Sequence, residues 1–288
     1  MTSALEYAAL AETARTVAEQ AAEHVRTRRA ELFAPSGHDG QAADGAVATK
    51  STRTDPVTVA DTETEQLVRD RLAQLRPGDA VLGEEAGGDV APPSGVRWVV
   101  DPIDGTVNFM YGIPAYAVSL AAQIDGRSVA GAVVDVAHGV TYWAQLGGGA
   151  WCSDESGPRR LRTNRIGEVG MALVATGFGY APARRREQGR LVAALLPQVR
   201  DLRRVGAAAL DLCMVASGAV DAHIEHGLSP WDWAAGGLIA AEAGAVVVLP
   251  PAESRSAQGH ATIAVAPGIA DEFLAVLTEI GATEPLPS

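Results

Sequence analysis

Val96-Arg-Trp-Val-Val-Asp101-Pro-Ile-Asp104-Gly-Thr106 runs from an apolar stretch straight into a turn that carries two carboxylates. The β-branched and aromatic residues of Val96–Val100 predict a strand ending at Asp101. Asp101 and Asp104 stand three apart, with Pro102 stiffening the turn between them. Both side chains can then point to one side, together with the backbone carbonyl of Ile103. Gly105-Thr106 opens a loop or helix start, where free backbone N–H groups can receive a phosphate. Taken alone, Asp-Pro and Asp-Gly are turn formers, so the meaning of this stretch depends on the rest of the chain.

Two further acidic clusters lie on either side of it. Gly83-Glu84-Glu85 follows the apolar Val81-Leu82, so Glu84 or Glu85 projects from a strand end. Ser229-Pro230-Trp231-Asp232-Trp233 reads as a helix start in which Asp232 is either a cap or a carboxylate in a buried, aromatic setting. Carboxylates that converge without basic partners repel one another unless a cation sits among them. Hard oxygen donors of this kind suit Mg²⁺. The six histidines, His223 and His226 among them, are scattered and make no zinc set; they are expected to be structural or superficial. Metal-dependent chemistry on a phosphate is the reading these residue types favour.

Working outward, apolar positions such as Leu10, Ala14, Val17, Ala21 and Val25 recur at helical spacing, predicting a long helix from Leu5 to about Leu32. Gly40–Thr49 is small and polar and reads as a loop. A second helix is expected to start near Asp61, capped by that carboxylate, and to end at Arg76-Pro77-Gly78. Tyr116–Ile124, Ser128–Asp135 and Thr141–Leu146 predict an antiparallel meander joined by tight turns. Gly147-Gly148-Gly149 reads as a turn. Beyond it, strands (Ala172–Thr176, Leu202–Val205, Ala222–Glu225, Ala245–Leu249, Thr262–Ala266) alternate with helices (Arg184–Leu196, Ala208–Ser217, Asp232–Ala243, Ile269–Thr278). Arg184-Arg185-Arg186 reads as an exposed basic helix start. Helices able to cover both faces of the sheets imply an α/β protein, a layered sandwich. One domain over residues 1–288 is expected, with an α+β half to about 158 and an α/β half from about 159.

The chain has 288 residues, 47% hydrophobic and 20% charged, within the range of an ordinary globular protein. No apolar run approaches the ~18–20 residues of a membrane span. Only Cys152 and Cys213 are present, too few for a disulfide framework, and the first residues lack the pattern of a signal peptide. A cytoplasmic location is therefore expected. A net charge of −12 argues against nucleic acid as the main partner. It does not oppose a small phosphorylated substrate, because a cation held by the acidic site reverses the local field.

The order Gly-Glu-Glu, then Asp-Pro-Ile-Asp-Gly-Thr about 17 residues on, then Trp-Asp followed by Ala-Ala-Gly resembles the inositol monophosphatase family. So do Lys50-Ser51, the Asp55-Pro-Val-Thr-Val-Ala-Asp61 stretch, and Arg203-Arg204-Val-Gly206 through Asp211; the resemblance covers nearly the whole chain. Tyr111–Tyr116, Gly177–Tyr180 and Ala209–Cys213 resemble the actinobacterial SuhB-type branch in particular. The resemblance implies an αβαβα sandwich and a phosphomonoesterase that hydrolyses myo-inositol monophosphate with Mg²⁺. It implies one ion on Glu84, Asp101 and the Ile103 carbonyl, a second on Asp101, Asp104 and Asp232, and a weaker third near Glu84. It implies that Glu84 and Thr106 activate water, with Asp55 hydrogen-bonded to Thr106. Gly105 and Thr106 amides would hold the phosphate. Glu225, Arg203, Gly206, Ala207 and Ala208 would line the substrate wall. A homodimer and lithium sensitivity are implied in the same way.

Ala207 departs from the family by lacking the hydroxyl that many relatives carry there, and Ser229-Pro230 precedes Trp231 where members vary. Both bear on the substrate and not on the metal ligands. The superfamily also takes histidinol phosphate, fructose-1,6-bisphosphate and 3′-phosphoadenosine 5′-phosphate, and SuhB-type proteins include one with a role in transcription complexes. Glu225 favours a polyol, since a carboxylate accepts hydrogen bonds from neighbouring hydroxyls.

Overall fold

The computed structural model describes residues 4–33, 47–49 and 56–288. Helix α1 (Ala4–Leu32) is followed by the short strands β1 (Val47–Thr49) and β2 (Pro56–Thr58), helix α2 (Val59–Leu75), and strands β3 (Ala80–Gly83) and β4 (Val96–Asp104). A one-and-a-half-turn helix α3 (Thr106–Tyr111) leads into β5 (Ala117–Ile124), β6 (Arg127–Asp135), β7 (Val140–Gln145), β8 (Gly149–Asp154) and β9 (Gly157–Arg160). The second half contains β10 (Leu173–Thr176), α4 (Pro182–Leu195), β11 (Asp201–Arg203), α5 (Ala208–Ser217), β12 (Ala222–His226), α6 (Pro230–Glu242), β13 (Val246–Val248), β14 (Ala261–Val265) and α7 (Ala270–Glu279).

Strands β3 to β9 form one seven-stranded sheet in sequence order, with β3 parallel to β4 and every later pair antiparallel. The five-stranded sheet runs β11-β10-β12-β14-β13, parallel through β12 and antiparallel beyond it.

Side-chain alternation on β4 explains the stacking. Trp98 and Val100 pack with Leu10, Ala14 and Val17 of α1 on one face. Val99 points the other way, into a core shared with α5 and α6. A strand covered on both faces reads as a continuous apolar run, which is why Val96–Val100 shows no polar alternation. Ala264 of β14 joins that same middle core from the other side. The outer face of the smaller sheet packs Val174, Ile224 and Ile263 against Leu191 of α4 and Phe273 and Leu277 of α7. The order of layers is therefore α1/α2, large sheet, α5/α6, small sheet, α4/α7, a layered αβαβα sandwich. Among the described residues no helix is long and apolar enough to cross a membrane.

Three local expectations need correcting. Helix α2 begins at Val59, ahead of Asp61, because Asp61 caps from its third position. The chain after Gly147, where no strand is expected, continues the large sheet as the β8–β9 hairpin. Residues 47–49 of the expected Gly40–Thr49 loop pair with β2 as a short strand.

Candidate active site

A three-residue spacing on a regular strand puts two side chains on opposite faces. At the end of β4 the pairing with β5 shifts: Asp101 faces Ser119 while Asp104 faces Ala117, so three steps on one strand match two on the other. A bulge of this kind re-aims a side chain, and it brings both carboxylates to one side. Asp101 is buried, and one of its oxygens accepts from the Ile103 amide at 3.1 Å. Gly105 turns the chain with φ 93°. A Cβ there would sit 2.9 Å from the Ala115 carbonyl oxygen, so only glycine carries the chain from the aspartates into α3.

Asp104 also caps a helix from a distance. Its two carboxylate oxygens accept from the first amides of α5, Ala208 at 3.2 Å and Ala209 at 2.7 Å. Asp232, at the third position of α6, accepts from the Ser229 amide at 2.7 Å in a capping box. One oxygen each from Asp101, Asp104 and Asp232 lie within 4.8 Å of one another. The three clusters separated in sequence thus meet where β4, α5 and α6 meet, with Glu84 close enough for its charge to act on both Asp104 and Asp232.

The electrostatics follow from that crowding. Burial, with Glu84 adding to it against the Ala208 and Ala209 amide bonds, pushes the Asp104 carboxyl up to about 7. Burial, then Glu84 and Asp104, hold Asp232 well above the ordinary carboxylate range. Burial and then Asp104 push Glu225 up to about 8. Buried carboxyl oxygens crowded together form a hard oxygen donor set that a divalent cation would ionise, and the donor chemistry fits such an ion.

Thr106 Oγ1 lies 3.1 Å from an Asp61 carboxylate oxygen and 3.0 Å from the Ile103 carbonyl oxygen, so its proton is committed to one of these acceptors. The other Asp61 oxygen accepts from the Thr58 amide at 2.8 Å and the Thr58 hydroxyl at 2.5 Å. Asp55, expected behind Thr106, lies outside the described residues, as do Lys50 and Ser51. Asp61 is the carboxylate hydrogen-bonded to Thr106 among the described residues. Sequence reading assigned it to capping alone, and in the structure it does both.

The substrate-wall residues divide. Gly206 and Ala207 pack against Gly105, their nearest atoms 3.2 and 3.3 Å from where a Gly105 Cβ would be, and Ala208 joins them through its bond to Asp104. Glu225 of β12 is half-buried and lies over Gly177, where a Cβ would approach one of its oxygens to 2.0 Å. Arg203 turns back to its own strand, paired with Asp201 at 2.5 Å and donating to the Leu202 carbonyl at 2.8 Å. Its neighbour Arg204 is the cation whose charge acts on Asp104, Asp211 and Glu225. Sequence reasoning missed Arg204 and also Asp211, which is fully buried 3.6 Å from His223. Burial, then Glu225 and Asp104, hold the Asp211 carboxyl well above its usual range, and burial lowers His223 to about 3. His223 and His226 are both buried. Arg184, expected at an exposed helix start, is buried and donates to the Pro287 and Ala257 carbonyls at 3.1 and 3.2 Å; Arg185 and Arg186 are exposed.

The model of the "Inositol monophosphatase family" matches residues 6–281. The chain is 56% identical over 287 residues to Inositol-1-monophosphatase SuhB of Mycobacterium tuberculosis, covering 98% of each. It is 37% identical over 194 residues to the Nus factor SuhB of Vibrio cholerae, covering 67% of this chain and 71% of that one. The solved structure of Mycobacterium tuberculosis SuhB superposes with a TM-score of 0.81 at 52% identity, covering 96% of this chain and 98% of that one. Thermotoga maritima IMPase gives 0.76 at 25% identity, covering 92% and 95%. A match over nearly the full length leaves one conclusion: the chain belongs to the inositol monophosphatase family.

Proposed function

We propose that the protein is a Mg²⁺-dependent phosphomonoesterase that hydrolyses myo-inositol monophosphate to inositol and phosphate by in-line attack of water. The observation that carries this reading is the convergence of Asp101, Asp104 and Asp232 oxygens within 4.8 Å, beside Glu84 and the Asp61-anchored hydroxyl of Thr106. Glu84, Asp101, the Ile103 carbonyl, Asp104 and Asp232 would hold two ions, and the family resemblance implies a weaker third near Glu84. Divalent cations held there would supply charge neutralisation at the phosphoryl oxygens and acidify a water.

This chain's own residues do the rest. Thr106 has its proton committed to Asp61 or Ile103, so its lone pairs are free to accept from the attacking water and orient it. Glu84 takes the water's second proton. The Gly105 and Thr106 amides receive phosphate oxygens. Glu225, its carboxyl pushed up to about 8 in the metal-free protein, faces the polyol hydroxyls, Arg204 supplies the nearby positive charge, and Gly206, Ala207 and Ala208 form the remaining wall, while Arg203, also expected there, is turned back onto Asp201. A small phosphorylated polyol is the partner this wall suits, and a homodimer is the assembly the family membership favours.

The test is phosphate release from inositol-1-phosphate, fructose-1,6-bisphosphate, histidinol phosphate and 3′-phosphoadenosine 5′-phosphate, with and without Mg²⁺. A kcat/KM preference for inositol-1-phosphate is expected. Preference for another member of the panel keeps the reaction and moves the substrate. No release from any of them by folded protein overturns the proposal and turns attention to the regulatory role that the Vibrio cholerae relative's name denotes.

A further inference from the structure

The loop that carries Glu84 has no regular structure of its own, yet Glu84 must be held within reach of Asp104 and Asp232. A second carboxylate, Glu65 of α2, lies almost fully buried beneath that loop. One of its oxygens accepts from the Glu85 amide at 2.7 Å and the other from the Ala86 amide at 3.1 Å. Arg69, one turn further along α2, donates to Glu65 at 2.8 Å. The same guanidinium reaches the Gly87 carbonyl at 2.6 Å and the Val81 carbonyl at 3.4 Å. The loop is closed on itself by the Gly83 amide, which donates to the Gly87 carbonyl at 2.9 Å. Gly83 fits this packing tightly: a Cβ there would lie 2.2 Å from a Glu65 oxygen.

We infer that Glu65, braced by Arg69, is a positioning residue for Glu84. The inference rests on the proposed function, in which Glu84 holds metal and takes a proton. A carboxylate that accepts two consecutive amides fixes the direction of the peptide carrying Glu84, and the arginine fixes the carboxylate while gripping the loop on both sides. Asp61 and Glu65 stand four residues apart and share one face of α2. That single helix face therefore anchors Thr106 through Asp61 and the Glu84 loop through Glu65, setting the two water-orienting groups relative to each other.

Glu65→Gln is the test. A carboxamide presents an NH₂ group to one of the two amides, donor against donor, while keeping size and shape. Loss of a residue that orients a metal ligand typically costs 10–100-fold in affinity or activity. The expected result is a kcat lower by about that factor, a KM for inositol phosphate within about threefold of the parent, and a rise in the Mg²⁺ concentration giving half-maximal activity. Hydrogen exchange at the Glu85 and Ala86 amides is expected to accelerate while the core of α2 stays protected. Arg69→Gln, which leaves Glu65 in place, is expected to move the same quantities in the same direction by less, and it serves if Glu65→Gln does not fold. Parental kcat per folded molecule with parental Mg²⁺ dependence in both variants overturns the inference. If the unmodified protein releases no phosphate from any substrate, the proposed function fails. The clamp is then judged by amide exchange and by calorimetric Mg²⁺ titration of parent and variant.

Discussion

Asp232 stands where an aspartate is an ordinary helix cap, and it is also one of three carboxylates whose oxygens crowd within 4.8 Å. The two demands conflict in the metal-free protein, since burial and the charges of Glu84 and Asp104 disfavour its ionised form. Asp232→Asn keeps an oxygen for the Ser229 amide and removes the charge. Phosphatase activity is therefore expected to fall at least about 100-fold, while the metal-free protein becomes more stable by about 1–2 kcal/mol, a rise of ~2–6 °C in a thermal melt. A melt lowered by several degrees would mean the carboxylate is needed for the fold. Asp101→Asn, at the residue shared by both proposed ions, is expected to abolish turnover with an unchanged circular dichroism spectrum; near-normal activity would sink the two-metal assignment. Residues of this kind were legible because carboxylates at turns lacked any structural need to cluster. Asp61 was not, because at the third position of α2 its capping role accounts for it completely. The direction of Arg203, expected in the substrate wall but turned back to Asp201 and the Leu202 carbonyl, was equally hidden.

The elements themselves were mostly legible from apolar periodicity. The long α1, the β5–β7 meander and the alternating second half stand within a few residues of their expected bounds. The β8–β9 hairpin was missed because Gly157-Pro-Arg-Arg carries no strand-like apolar alternation; it is an exposed edge, held by pairing with β8. Arg184 was misplaced because a basic triplet at a helix start resembles a solvated face, whereas one of its three side chains is buried to tie the C-terminal tail to α4. Close approaches between elements were also invisible. Gly177 follows β10 and lies against Glu225 of β12 with no space for a side chain. Gly177→Ala is expected to push Glu225 out of the substrate wall without touching the carboxylate cluster. Its signature is a KM for inositol phosphate raised about tenfold or more, with kcat changed far less. An unchanged KM would remove Glu225 from the binding surface.

At the scale of the whole molecule, the site burdens the fold with protons that the unfolded chain would not hold. Unfolded carboxylates titrate near 4, whereas Asp104 is pushed up to about 7 and Glu225 to about 8. From about pH 4 up to 7 for Asp104 and 8 for Glu225, each of these groups therefore holds a proton in the folded metal-free protein that the unfolded chain has lost, and its contribution to stability falls as pH rises, by at most about 1.4 kcal/mol per pH unit. The buried histidines act in the other direction. His223 at about 3 and His226 at about 4 stay neutral in the fold, while unfolded histidine protonates near 6.5. Their contribution is present above about 6.5 and is lost as pH falls below it. Between about pH 4 and 6.5 the two effects oppose each other, and above about 6.5 only the carboxylate term is left, so the metal-free protein should lose stability as pH rises from about 6.5 to 8. A cation bound by Asp104 and Asp232 displaces the protons, so saturating Mg²⁺ should raise the melting temperature more at pH 8 than at pH 6. Melts with EDTA and with Mg²⁺ across that range decide it. A Mg²⁺-induced shift that is the same at every pH would show that the ion binds without displacing those protons, and that the carboxylate cluster is not where it binds.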